Sequence, residues 1–191
     1  MKKFVLFLVL GLFFIGCINP PQPLETPEQK AIKLADDVPE ISITSRMIES
    51  MNNSDACTVD VFIRNYTKLS EANGMDFPAP TQEEKILMQE AITETKQWVK
   101  DCNPRLSKNA VKDSETVFFV NYKFELNSNS LCGSTASQEV KVKVDLEKKE
   151  AAVQGSNAMD KLTEQQLEQV LEIMGPCAGI MFFSATTSPE Y

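Results

Sequence analysis

Histidine is absent from all 191 residues. Its absence excludes the usual serine and cysteine triads, HExxH zinc sites and imidazole acid–base catalysis. No pair of cysteines has CxxC spacing, which removes thiol oxidoreductase and zinc-ribbon chemistry. Neither GxxxxGK[ST] nor GxGxxG occurs to cradle phosphates, and no DxDxDG loop offers a calcium site. Positive charge is scarce: 19 lysines and arginines stand against 27 acidic residues, for a net charge of -8. An acidic chain disfavours nucleic acid and anionic surfaces as partners. The sequence is therefore expected to bind no metal, cofactor or nucleic acid, and to be no enzyme.

The carboxylates that remain do not suggest a catalytic pair. Glu83, Glu84, Glu90 and Glu94 share the exposed side of one predicted helix and read as a solvated face. Neither Ser107 beside Lys108 nor Ser137 with Lys141 implies a shared serine–lysine site.

Long apolar runs are also missing, since the longest spans only the twelve residues from Phe4 to Ile15. A membrane-spanning helix needs about 20 residues, so this run has the dimensions of a signal-peptide core, and it follows Lys2 and Lys3. It closes on Phe14-Ile15-Gly16-Cys17. That segment resembles the lipobox of bacterial and archaeal lipoprotein precursors, a likeness confined to residues 1–17. The resemblance implies removal of residues 1–16 and acylation of Cys17, which would hold the protein on the outer face of the cytoplasmic membrane or in the cell envelope. Several acyl chains anchor stably, because each buried methylene contributes about 0.8 kcal/mol. The remaining 175 residues, having lost only Lys2 and Lys3, would carry -10. Pro20, Pro21 and Pro23 make residues 17–26 an extended tether, leaving 27–191 as a single globular domain.

Four further cysteines, Cys57, Cys102, Cys132 and Cys177, lie 45, 30 and 45 residues apart. In an exported chain an even count reads as two disulfides, for which three pairings exist. Cys57 with Cys102 and Cys132 with Cys177 is the expected one.

Hydroxyl caps followed three residues later by Glu or Gln predict helices starting at Thr26, Thr81 and Thr163. The first should end near Asp37, ahead of Pro39. The second should bury a stripe from Leu87 to Cys102, and the third should stop at Gly175-Pro176. Met47, Ile48 and Met51 hint at a short extra helix. Alternation of apolar and polar residues predicts strands at Cys57–Ile63, Thr116–Leu126 and from Val140 to Leu146. A turn at Glu147–Glu150 leads into Ala151–Gln154, and the apolar run Gly179–Ala185 is expected to form a closing strand. This order contains no regular alternation of strand and helix. It predicts an α+β fold: an antiparallel sheet containing a three-strand meander, with about three helices packed mainly on one face.

Asn52 and Asn65 head N-x-[ST] triplets and are candidate glycan acceptors. On the second predicted strand, Phe119 must point away from Phe118, Tyr122 and Phe124, so Val117 and Phe119 are candidates for an apolar docking surface. The function these features fit is a membrane-anchored, non-enzymatic interaction or ligand-binding domain acting on an unidentified envelope protein or ligand. An accessory subunit of an envelope transport or secretion complex is the alternative, and a histidine-free envelope hydrolase a more distant one.

Overall fold

The computed structural model describes residues 24–127, 132, 137–155 and 161–181. Cys17, the tether as far as Pro23, and residues 182–191 lie outside the described residues. Five α-helices and four strands occur among those described: α1 (Pro27–Asp36), α2 (Pro39–Asn52), α3 (Val59–Ala72), α4 (Gln82–Cys102), β1 (Arg105–Lys112), β2 (Val117–Glu125), β3 (Ser137–Asp145), β4 (Glu150–Val153) and α5 (Lys161–Met174). The sheet is an antiparallel meander ordered β1-β2-β3-β4. The fold is α+β.

Local chemistry explains the helix starts. Thr26 and Gln29 form a reciprocal capping box, with Thr26 Oγ1 accepting from the Gln29 amide at 3.2 Å and Gln29 Oε1 from the Thr26 amide at 2.9 Å. Thr81 and Glu84 repeat the arrangement on α4, and the Thr81 backbone and hydroxyl groups that donate to the Glu84 carboxylate hold it below its usual ionisation range. Pro39 ends α1 and opens α2, where a missing amide hydrogen is harmless. At the far end of α4, Asn103 adopts a left-handed conformation (φ 43°) and Pro104 turns the chain into β1.

Two cores result. Ala31 and Ala35 of α1 press against Phe118, Val120, Tyr122, Val142 and Val144 on one face of the sheet, the absence of bulk on α1 permitting close approach. The second core is helical, joining Ile43 of α2, Leu69 of α3, Ile92 of α4, and Leu171 and Met174 of α5 to the Cys177–Ile180 segment. Helix α2 serves both, with Ile41 in the first and Ile43 in the second.

Several expectations are corrected. The predicted strand at Cys57–Ile63 is instead the start of α3, whose N-cap Thr58 accepts from the Val61 amide. Its β-branched residues alternate over seven positions, but Phe62, Tyr66 and Leu69 continue at helical spacing and pack on the second core. The hint of a short helix at Met47–Met51 is the end of a 14-residue one. Helix α5 begins at Lys161, ahead of Thr163. Ala178–Met181 is helical rather than extended, so the expected closing strand does not form over its first three residues, and its remainder lies outside the described residues. Burial on α4 starts only at Ile92: Leu87, at the head of the predicted stripe, is 59% exposed. Strand β1 escaped prediction because its inward face alternates Leu106, Lys108, Ala110 and Lys112, a pattern permitted at a sheet edge.

The disulfide pairing also differs. Cys57 joins Cys177 and Cys102 joins Cys132, with Cα separations of 5.1 and 5.5 Å. Once α3 replaces the expected strand, Cys57 sits at the floor of the helical core beside the end of α5. Cys132, in the β2–β3 connection, reaches the end of α4, where the Asn127 amide also donates to the Cys102 carbonyl at 2.7 Å.

The turn after α5 is held against α2 and α3 by polar contacts inside the core. Ser50 Oγ donates to the Gly175 carbonyl at 2.8 Å and accepts from the Gly179 amide at 2.9 Å, while Asn65 Nδ2 donates to the Met174 carbonyl at 3.1 Å. A Cβ added at Gly179 would lie 2.6 Å from Met51 Cγ and 2.8 Å from its backbone nitrogen.

Gly179→Ala should therefore cost about 1–3 kcal/mol in denaturant unfolding, the range for an overpacked core; an unchanged midpoint would show that α2 and this turn are not in such contact. Peptide mapping without reductant should recover the Cys57–Cys177 and Cys102–Cys132 peptides. By the chain-entropy relation, removing the first crosslink, with its 120-residue separation, should cost more (about 5 kcal/mol) than removing the second, with 30 residues (about 3.5 kcal/mol).

Candidate functional site

Helix α1, with ten residues, is about 15 Å long, whereas the nine residues of β2 extend about 30 Å. The helix touches all four strands but covers only the part of the sheet around Phe118–Tyr122. Helix α2 arrives over the remainder and turns its opposite side into the helical core. A groove is left between α2 and the uncovered end of the sheet, with a volume of about 500 Å³. Met47, Ile48 and Met51 of α2 form one wall, and Leu106, Phe124, Val140 and Val153 of the sheet form the other. Its size falls within the usual range for small-molecule sites, roughly 300–1,000 Å³.

Polar groups in the groove are few. Thr44 Oγ1 donates to the Glu40 carbonyl at 2.6 Å. Tyr122, 1% exposed, donates its hydroxyl to Asp36 Oδ1 at 2.7 Å, and Lys108 Nζ pairs with Asp36 Oδ2 at 2.6 Å. One carboxylate thus bridges α1, β1 and β2 beside the groove. Burial, followed by the hydrogen bond to Asp36 and the charges of Asp36 and Asp37, pushes Tyr122 ionisation well above the usual tyrosine value. Glu40 is the only charged residue among the described residues that line the groove.

A broader depression of about 810 Å³ lies between α1 and the turns of the sheet, lined by Glu25, Asp37, Glu115, Glu147 and three lysines. These carboxylates are exposed, and Glu25 faces Lys33 at 4.0 Å with both side chains more than half exposed. Nothing there desolvates a carboxyl group as a general acid requires, so the depression offers no support for a hydrolase. Among the described residues, no three acidic or cysteine side chains converge on a metal position, and no helix is long and apolar enough to cross a membrane.

The residues singled out from sequence are not brought together. Asn52 is exposed near the end of α2, its Nδ2 donating to the Pro104 carbonyl at 3.4 Å. Asn65 is buried on α3 with its amide engaged by Met174, so, contrary to expectation, the folded chain does not present it as a glycan acceptor. Val117 and Phe119 do lie on the face of β2 opposite Phe118 and Tyr122, but both are half-buried, and Lys141 Nζ stands 4.1 Å from the Phe119 ring centroid. More apolar surface is exposed on α4, where Ile86 and Leu87 are 52% and 59% exposed. Cys17 lies outside the described residues. The four body cysteines form two disulfides, which fit an oxidising, extracytoplasmic compartment. No protein-family model, curated protein or solved structure matches this chain.

The bridge at Asp36 yields an asymmetric expectation. Asp36→Ala should cost about 1–3 kcal/mol because it strands a buried hydroxyl, whereas Tyr122→Phe, which removes the hydroxyl itself, should cost about 0.5–1.5 kcal/mol. The sign with pH follows from the raised ionisation of Tyr122: its stabilising effect is complete below about pH 10, the ordinary tyrosine value, and is lost as pH rises through the folded-state value. Unfolding free energy measured from pH 8 upward should fall at the alkaline end, and Tyr122→Phe should flatten that fall; identical profiles would disprove the linkage.

Proposed function

We propose that the chain is a lipid-anchored, extracytoplasmic binding protein without catalytic activity, and that the groove between α2 and the sheet receives a small apolar ligand. The groove carries this reading: it is concave, about 500 Å³ in volume, walled by aliphatic, methionine and phenylalanine side chains, and held open by elements packed from behind. Met47 and Met51 suit it to ligands of varied shape, because an unbranched thioether side chain repacks readily. The lipobox-like segment ending at Cys17 supports anchoring, and the disulfides support the compartment.

A second reading, as accessory subunit of an envelope complex, is favoured by Ile86 and Leu87, which leave the first turns of α4 apolar and exposed. A photo-crosslinker placed at Leu87 would capture a partner under that reading.

Two measurements test the principal proposal. Cys17→Ser should move the protein from the membrane fraction to the soluble one, and continued retention would refute the lipid anchor. An environment-sensitive apolar dye should gain fluorescence on the purified protein and lose it with Val140→Asp, which places a charge in the groove wall; equal fluorescence from both proteins would locate dye binding elsewhere.

A further inference from the structure

Resting on the reading of the groove as a ligand site, we infer that Phe182 and Phe183 of this same chain are its resident occupant, a built-in competitor that a ligand must displace. The course of the chain over α2 points to them. Arg46, Glu49, Ser50 and Asn53 share one face of that helix, and Gly175 and Pro176 lie against it. Met47, Ile48 and Met51 share the nearly opposite face, which walls the groove. Between Gly175 and Gly179 the chain crosses from the first face toward the second. Ser50 Oγ donates to the Gly175 carbonyl and accepts from the Gly179 amide, and Gly179 lies so close to Met51 that a Cβ there would clash.

Met181, two residues further on, is half-buried against the helical core, as is Met47 of the groove wall. The described chain therefore ends on the groove side of α2, and the next two residues in the sequence are Phe182 and Phe183. No large apolar side chain follows them in Ser184-Ala185-Thr186-Thr187-Ser188. Three to four residues beyond Gly179 reach up to about 10–14 Å, whereas Gly179 already touches the groove wall at Met51. Left in water, the two rings would forgo burial of about 150–250 Å² each. In the groove they meet the thioethers of Met47 and Met51, which favour aromatic neighbours, and the ring of Phe124 on the opposite wall. A free ligand then finds the groove open only in the fraction of molecules that the rings have left, and its apparent affinity falls by that fraction.

Two measurements test this assignment. With a photo-crosslinking phenylalanine in place of Phe183 in the full chain, irradiation should join that residue, within one molecule, to peptides carrying Met47 and Met51 or Phe124 and Val140. Crosslinks confined to other peptides, or formed only between molecules, would overturn the seating. An environment-sensitive apolar dye should bind the chain shortened after Met181 about tenfold more tightly than the full chain, the factor for rings that occupy the groove about nine-tenths of the time. Phe182→Ser with Phe183→Ser in the full chain should reproduce the gain at an unchanged unfolding midpoint, and Val140→Asp in the shortened chain should abolish it. Equal dye affinity in the full chain, the shortened chain and the double variant would overturn the competitor and leave the groove reading standing. If the shortened chain binds no dye, the ligand reading falls, and the competition falls with it.

Discussion

The structure depends on one helix being buried from two sides. Helix α2 has no side-chain hydrogen bond at its N-cap, and a 14-residue helix with little capping is marginal in isolation. Its stability comes from tertiary contact: Ile41 against the sheet, Ile43 against the helical bundle, and Ser50 bonded to the turn that follows α5. The sheet and the bundle reach each other principally through it. Had α2 been amphipathic with a single apolar stripe, it could have covered the sheet or completed the bundle, but not both. Serving both obliges it to turn partly away from the sheet, and the groove is the space left by that compromise.

Sequence patterning revealed the parts of this arrangement that obey local rules. The capping boxes at Thr26 and Thr81 located two helices to the residue because hydroxyl and carboxamide or carboxylate groups satisfy orphan amides wherever they fall in a chain. The β2–β3–β4 meander was legible because Tyr122 and Phe124 alternate with Asn121 and Lys123, and Val142 and Val144 with Lys141, Lys143 and Asp145. The misplaced elements have a common cause. At Cys57–Ile63 the local period of two was outweighed by burial extending to Leu69, and at Gly179 the chain lies so close to Met51 of α2 that a Cβ would clash, an approach that no local pattern encodes. Strand β1 carries lysines inward because Asp36, more than 70 residues earlier, receives one of them.

The groove was less legible than the fold. Met47, Ile48 and Met51 were visible only as a hint of a short helix, and Phe124 and Val140 as residues on one face of half-buried strands, with nothing to mark either set as the wall of a groove. Whether two apolar surfaces close on one another depends on the relative lengths of α1 and β2 and on the course of α2, which periodicity does not convey. The exposed face of β2 was the more conspicuous candidate in sequence, since Phe119 is an aromatic residue out of phase with its strand. In the fold, a lysine two positions along the neighbouring strand's outward face lies over its ring.

The positions of the disulfides bear on how such a groove can hold a ligand. Cys57–Cys177 ties the start of α3 to the end of α5 within the bundle behind α2, and Cys102–Cys132 ties the end of α4 to the connection between the two strands that carry Phe124 and Val140. One crosslink therefore stiffens the support of the helical wall and the other the support of the sheet wall, while neither crosses the groove. Binding to a cavity whose walls are already ordered avoids much of the conformational entropy loss that a folding-on-binding site incurs, about 0.5–1.5 kcal/mol for each rotamer-rich side chain immobilised. The remaining adaptability lies in Met47 and Met51, side chains that change rotamer without moving the backbone. A rigid frame with two soft side chains along one wall can accommodate apolar groups of varied shape.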